Sequence, residues 1–514
     1  MNNNPYHPQQ WKNLIPNIDA VIRELERTPI LSVGITPYTR IIPSFFLKNY
    51  AIYTVQRSSD VDVMEQFLSM YVLEDKFPDV AERVHGTGYL IGNHRFQGFV
   101  RSMKNAPKLM FYTMTKKIVE DLDKLQMSYI GNNPKTFEDV MYKQHFKALV
   151  KKLGLPVLPT QTYLREVFLD ASYEQLQKEV GNSFVVQRGD KEVGGNEGTF
   201  FIHSRADFER CHEILAQDKS FSTIVCARFV KGHSTSMLGC VMPQGTLSGP
   251  LQLQLIDVPQ SLHGVSANGV FFGNDLGFVD WELTAEAEAQ RVVEAVGDYL
   301  RTQGYKGIFG IDFLYDQETQ EIFASECNPR FTGSLVLYSL MLLEAGVPPM
   351  EFFHLLAHLN IDAQFDFEAV NKALKTRLPC AHIAFSPRGI TSMEIELPAG
   401  VYECLPGAEE SLQYKRPGIS LADVRNPGEF LLVDTVPALH GPIEQQVPRL
   451  FKFIFPRSIA QSSYEIDKSA GLLVSVFADA LLSAAQKKKP PVQNRTEGAA
   501  TSDSAVCTTR RLQR

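Results

Sequence analysis

Short apolar runs separated by amphipathic stretches open the chain. ILSVGI, YAIYTV (50–55) and the run at 89–91 read as strands, with helical segments such as 61–73 between them. That alternation predicts an open parallel sheet with crossover helices. Residues 138–153 (EDVMYKQHFKALVKKL) read as one amphipathic helix, with Tyr142, Phe146, Leu149, Val150 and Leu153 on one face. Gly154 and Pro156 stop it. Lys143, Lys147 and Lys151 run beside that face and read, by position alone, as a solvated stripe. From 181 to 330 the texture is short strands with tight turns; 335–359 is helical, 376–455 β-rich, and 468–486 a last helix. The polar, aromatic-poor stretch from Lys487 onward reads as disordered.

Composition changes this picture little. A chain of 514 residues with 44% hydrophobic and 21% charged residues has ample material for about three domains. A net charge of −7 gives no general footprint for nucleic acid. The first residues lack the regions of a signal peptide, and no apolar run reaches the ~18 residues of a membrane span. Seven cysteines at irregular spacing, none in a C-x-x-C pair, read as reduced thiols, so a cytoplasmic location is expected. The first strand is followed by Thr36-Pro37-Tyr38 and not by a glycine-rich turn, which sets aside NAD and FAD. There is no P-loop and no G-x-S-x-G elbow. His354 and His358 lie four apart without the glutamate of H-E-x-x-H, and read as core histidines.

The chemistry sits on a predicted hairpin, GIFGIDFL (307–314) and EIFASECN (321–328). A turn centred near Thr319 places Asp312 opposite Glu326, with Asn328 on the same face. Facing carboxylates repel. Either water screens them on an exposed face, or a divalent cation holds them. Hard oxygen donors suit Mg²⁺, which completes its shell with phosphate oxygens and water. Asn328-Pro329-Arg330 ends the strand and brings a guanidinium close.

The stretch GIFGIDFLYDQETQEIFASECNPRFTGS resembles the metal-binding hairpin of the ATP-grasp superfamily, which includes carbamoyl-phosphate synthetase and biotin carboxylase. The resemblance implies metal ligands at Asp312, Glu326 and Asn328, a catalytic cation at Arg330, and an adenine-packing side chain at Leu314. Tyr129-Ile130-Gly131-Asn132 followed by Tyr142-Lys143 is similar to the start of an ATP-grasp domain, with Lys143 on the phosphates. FVVQRGDKEVGGNEGTFF resembles the strand and glycine-rich loop over the triphosphate: Gln187, Gly194, Gly195 and Gly198. Glycines there let backbone N–H groups approach phosphate, although a flexible hairpin turn has the same composition. Gln187 replaces the lysine that many members carry, and Arg188 or Lys191 could compensate. TIVCARFVKG resembles the adenine-lining strand, implying base contacts at Arg228, Phe229 and Val230, and a ribose contact at His233. An apolar strand with a snorkelling Arg228 is the plain alternative.

What the resemblance implies is an α/β and α+β protein in three parts. These are an N-terminal open parallel α/β (pre-ATP-grasp) domain, 1–137, a central ATP-grasp domain, 138–365, and a C-terminal β-rich domain, 366–486, before a disordered tail, 487–514. The implied activity is an ADP-forming carboxylate–amine ligase using ATP and Mg²⁺ (or Mn²⁺) and proceeding through an acyl phosphate. The Phe331-Thr332-Gly333-Ser334 turn is expected at the substrate. Small-molecule carboxylate and amine partners are expected, with no nucleic acid and no membrane, and a homodimer is compatible. A bicarbonate-activating carboxylase and a non-catalytic ATP-binding regulatory or scaffold subunit are the alternatives.

Overall fold

The computed structural model describes residues 5–81, 83–84, 86–189, 199–259, 269–385, 393–394, 397–405, 411–434, 438–439 and 451–487. The first apolar runs become β1 (Ile30–Gly34) and β2 (Tyr50–Thr54), both buried along their whole length. With β3 (Ser69–Val72), β4 (Lys108–Phe111) and β5 (Tyr129–Ile130) they form a parallel sheet in the order β3-β2-β1-β4-β5. Near-continuous apolar strands are what a parallel sheet covered on both faces requires.

Two local expectations fail here. The helix expected over 61–73 ends early: Asp60–Met64 is helical, and Ser69–Val72 is the edge strand β3, paired in parallel with β2. Pairing with an open sheet edge outweighs a weak local preference. The run at 89–91 belongs to the helix Thr87–Ile91, with Leu90 and Ile91 buried and Tyr89 exposed. Three apolar residues are too few for period to separate helix from strand.

A second sheet is built from β6 (Thr160–Leu164), β7 (Phe184–Arg188), β8 (Thr199–Ile202) and β9 (Thr223–Arg228), all antiparallel, in the order β6-β9-β7-β8. Phe168, Leu176, Phe208 and Leu215 pack beneath it with Phe184, Val186 and Ile224.

The large sheet has eleven strands. β10 (Gly232–Met242), β11 (Gly245–Ser248), β12 (Gln252–Ile256), β13 (Phe271–Asp275), β14 (Gly307–Asp316) and β15 (Ile322–Asn328) make its first part. β16 (Ala381–Phe385) continues it; the short pair β17 (Met393–Glu394) and β21 (Ala438–Leu439) stands apart. β18 (Gly400–Leu405), β19 (Ser411–Arg416), β20 (Glu429–Val433) and β22 (Phe451–Phe455) complete the order β15-β14-β10-β12-β13-β16-β22-β20-β18-β19, with β11 on β10. The β13–β16 pairing carries one sheet from residue 275 across to residue 381.

The segment read only as short strands also holds the helix Leu283–Thr302. Its buried residues Ala285, Ala289, Val292, Val293, Val296 and Leu300 keep helical spacing. They pack on Phe309, Ile311 and Phe313 of β14 in one apolar core. The apolar helices Leu335–Glu344 and Met350–Leu359 share another core with the N-terminal helix Ile18–Leu25. Among the described residues no helix is long and apolar enough to cross a membrane.

Candidate active site

The hairpin forms as its pattern predicts near the chemistry. Asp312 pairs with Glu326, Ile311 with Cys327 and Gly310 with Asn328. Beyond Asp312 the register slips by one, leaving Ser325 as a bulge, because Phe313 pairs with Ala324. Ile311, Phe313 and Ala324 are buried on the far side. Asp312 and Asn328 therefore face a cleft of about 310 Å³ lying between β7–β9 and β10–β15, with Ser325 and Glu326 on its rim.

Two amides grip the Asp312 carboxylate. Gln254 donates through Nε2 to Oδ1 at 2.9 Å, and Asn328 donates through Nδ2 to Oδ2 at 2.9 Å. Each amide is oriented by its other end. Gln254 Oε1 accepts from the Ser234 hydroxyl at 2.7 Å, and Asn328 Oδ1 accepts from the Arg330 guanidinium at 2.8 Å. Burial raises the pKa of Asp312 above the usual carboxylate range, and Glu326 adds to the shift, while Arg330 and the two amide bonds oppose it. Lys143 Nζ lies 3.2 Å from Glu326 Oε2. The Arg330 guanidinium also donates to its neighbour Phe331 O at 2.9 Å and stands 5.9 Å from the Tyr112 ring centre.

The donor chemistry fits a hard cation. Two carboxylates face each other with the Asn328 amide beside them, its Nδ2 on Asp312 and its oxygen on Arg330, and burial together with the Glu326 charge raises the Asp312 pKa. Among the described residues no group of three or more His, Cys, Asp or Glu side chains is arranged for a metal. The set therefore suits an ion that takes only one or two protein carboxylates and draws its other ligands from phosphate and water.

Leu158, Ala227 and Val230 of the cleft lining form a small apolar cluster with Phe323, and Leu314 packs against it. Arg228 reaches Asp316 at 3.0 Å, and the Phe229 amide donates to Ser183 O at 2.9 Å. Arg228, Phe229, Val230, Leu314 and Gln187 all line the cleft. Gln187 Nε2 is bonded to Thr199 Oγ1 at 3.1 Å. Arg188 faces the other way, paired with Asp218 at 2.7 Å beside Phe221. Gly194, Gly195, Gly198 and Lys191 lie outside the described residues, as does the chain from 488 onward.

One expected contact needs correction. His233 is buried on the opposite face of β10, bonded to Asp280 at 3.1 Å and to Gln317 at 3.0 Å, and does not line the cleft. Strand alternation explains this: Ser234 and Ser236 point into the cleft, so position 233 cannot. The turn after the hairpin divides in the same way. Thr332, Gly333 and Ser334 line the cleft, whereas Phe331 is buried against Tyr112 and His354. His354 and His358 bond to backbone groups, Ile308 N at 3.2 Å and Lys306 O at 3.0 Å, as core histidines should.

The predicted helix over 138–153 also breaks. Tyr142 is extended (φ −100°, ψ 135°), dividing Glu138–Met141 from Lys143–Lys152. Lys143 thus starts a helix. Lys147, one turn on, is buried and lines the cleft instead of facing water. Gln254, Asn274, Tyr112 and Tyr464 line it too, and none stood out in the sequence. Tyr464 comes from the hairpin of β23 (Ala460–Ser462) and β24 (Glu465–Ile466). Ser463 fixes that turn by accepting from Ser234 N at 2.9 Å, while its carbonyl accepts from Ile256 N at 2.7 Å.

No protein-family profile matches the sequence. Among curated proteins, the C-terminal section of the carbamoyl phosphate synthase large chain from Methanopyrus kandleri is 24% identical over 215 residues, 41% of this chain and 36% of that protein. The chain thus spans about a third of that relative's length. Among solved structures, biotin carboxylase from Campylobacter jejuni in its β,γ-ATP complex superimposes with a TM-score of 0.53 at 11% identity, covering 90% of this chain and 92% of that one. The biotin carboxylase domain dimer of Hydrogenobacter thermophilus 2-oxoglutarate carboxylase, solved with MgADP, ADP and bicarbonate, gives 0.53 at 11% identity, covering 83% and 86%. The likeness is one of fold: the chain shares the overall architecture of these biotin carboxylases.

Proposed function

We propose that this chain is an ATP-dependent ligase that activates a carboxylate as an acyl phosphate, which an amine then attacks, releasing ADP and phosphate. The observation that carries the reading is the hairpin floor, where Asp312, Glu326 and Asn328 line a cleft that also holds an apolar cluster of Leu158, Ala227, Val230 and Leu314. A cleft with both a carboxylate floor and an apolar cluster suits a ligand that carries a polyphosphate and a flat base.

The physical problem is anion meeting anion, and phosphoryl transfer is catalysed mainly by alignment and charge stabilisation. A Mg²⁺ ion held by Asp312, Glu326 and Asn328 would neutralise the β- and γ-phosphate oxygens. Lys143, beside Glu326, contributes positive charge to the phosphates. Arg330, oriented by Asn328 and the Phe331 carbonyl, faces the reacting carboxylate and γ-phosphate. Leu314 and Val230 sandwich the base, and the backbone of Arg228 to Val230 reads its edge. Thr332, Gly333 and Ser334 hold the carboxylate substrate. No side chain need become covalently attached.

The test is ADP release by the purified chain with Mg·ATP against amino-acid pairs and other carboxylate–amine combinations, with bicarbonate as one arm. Substrate-dependent turnover abolished by Asp312→Asn and Glu326→Gln supports the ligase. Turnover with bicarbonate alone points to the carboxylase-like reading. Tight nucleotide binding without turnover across the panel points to a regulatory subunit, the reading that the uncharged Gln187 favours.

A further inference from the structure

Among the described residues, the cleft contains a buried lysine without an ion-pair partner. Lys147 is only 9% exposed and lines the cleft one helical turn from Lys143. Lys143 has Glu326 at 3.2 Å, whereas among the described residues Lys147 has no ion-pair partner. Burying an ammonium without an anion is costly, so such a group is retained where a ligand provides the anion. Burial, with Lys143 adding repulsion, pulls its pKa down to about 8, against a smaller opposing effect of Glu326.

The opposite wall explains why a second cation is needed there. The strand β7 offers the cleft Gln187, an amide tied to Thr199, while Arg188 is turned away toward Asp218. Among the described residues, that strand brings no positive charge to the cleft. Among the described residues, the lysines that line the cleft are Lys143 and Lys147, and both come from the helix.

We infer that Lys147 is a phosphate-binding residue for a nucleoside triphosphate, carrying from the helix wall the charge that Gln187 does not carry from the strand wall. The inference rests on the nucleotide-binding reading above and goes further by assigning the polyphosphate subsite to a residue at helix position 147.

Calorimetric titration of the full chain with Mg·ATP, adenosine and inorganic tripolyphosphate tests it. In Lys147→Gln, Mg·ATP and tripolyphosphate should bind roughly 10- to 100-fold more weakly, the range of one charge-assisted hydrogen bond, while adenosine binds as in the wild type. Lys147→Arg should retain most of the affinity, and Gln187→Lys in the Lys147→Gln background should restore part of it. Unchanged adenosine binding also shows that the variant is folded. The inference is overturned if Lys147→Gln binds all three ligands like the wild type, or loses adenosine and Mg·ATP equally while Lys147→Arg does the same. If the wild type binds adenosine and Mg·ATP no better than an unrelated protein does, the nucleotide reading itself fails.

Discussion

Asp312→Asn should raise the stability of the ligand-free protein while abolishing its stabilisation by Mg·ATP. The two carboxylates stand directly opposite across β14 and β15. With side chains roughly 5 Å apart and an effective dielectric near 20, like charges cost about 3 kcal/mol. Burial, and after it the Glu326 charge, raises the pKa of Asp312, and asparagine removes the charge that both disfavour. The substitution has its own cost. Gln254 and Asn328 both direct N–H groups at position 312, and each is locked by Ser234 or Arg330 at its other end. Asparagine has one oxygen to accept with, so one donor is left facing another, at about 1–3 kcal/mol. The balance is a gain of up to about 2 kcal/mol without ligand. Saturating Mg·ATP at a hundredfold its Kd adds about 2.7 kcal/mol to the wild type, and should add less than about 1 kcal/mol to the variant. Melting curves with and without Mg·ATP would therefore cross in rank: variant above wild type alone, below it with ligand. A variant that loses more than about 1 kcal/mol alone, or keeps the full ligand shift, would refute the reasoning.

Three further outcomes are expected. Glu351 is buried, with the Ser339 hydroxyl at 2.5 Å, and burial pushes its pKa from 4.5 up to about 8. The unfolded chain therefore loses that proton first, and stability falls by roughly 4 kcal/mol between about pH 5 and about pH 8; Glu351→Gln should remove this slope in denaturant titrations. A Cβ at Gly232 would sit 2.0 Å from Tyr315 O, so Gly232→Ala must part β10 from β14. It should cost upwards of about 2 kcal/mol and weaken nucleotide binding, read by melting and by titration. Ser463→Ala leaves the Ser234 amide without its partner, so the turn carrying Tyr464 keeps only its backbone bond from Ile256 N of the two described above. A loss of about 1–3 kcal/mol is expected, with KM for the non-nucleotide substrate rising more than KM for ATP.

What the sequence determined by itself was local. The Asp312–Glu326 pairing follows from period-two alternation around one turn, and both strands lie within about twenty residues of each other. Asp312, Glu326, Asn328, Arg330 and Leu314 were legible because they share that hairpin and its exit. The order of segments, lysine before strand before adenine-lining run, was legible because it lies along the chain.

Tertiary structure decided what depends on which surfaces meet. Lys147 reads as a solvated flank until the hairpin packs on the helix that carries it and the cleft forms there. Tyr112, Gln254, Asn274 and Tyr464 reach the cleft from four separate segments, and no spacing along the chain brings them together. His233 was placed on the wrong side because its neighbours' direction was set by β10 joining β14 and β12, and a strand's parity is fixed only when one face is known to be buried. The hairpin could say that two carboxylates wanted a cation; only the fold could say which lysine, among the described residues, has no ion-pair partner.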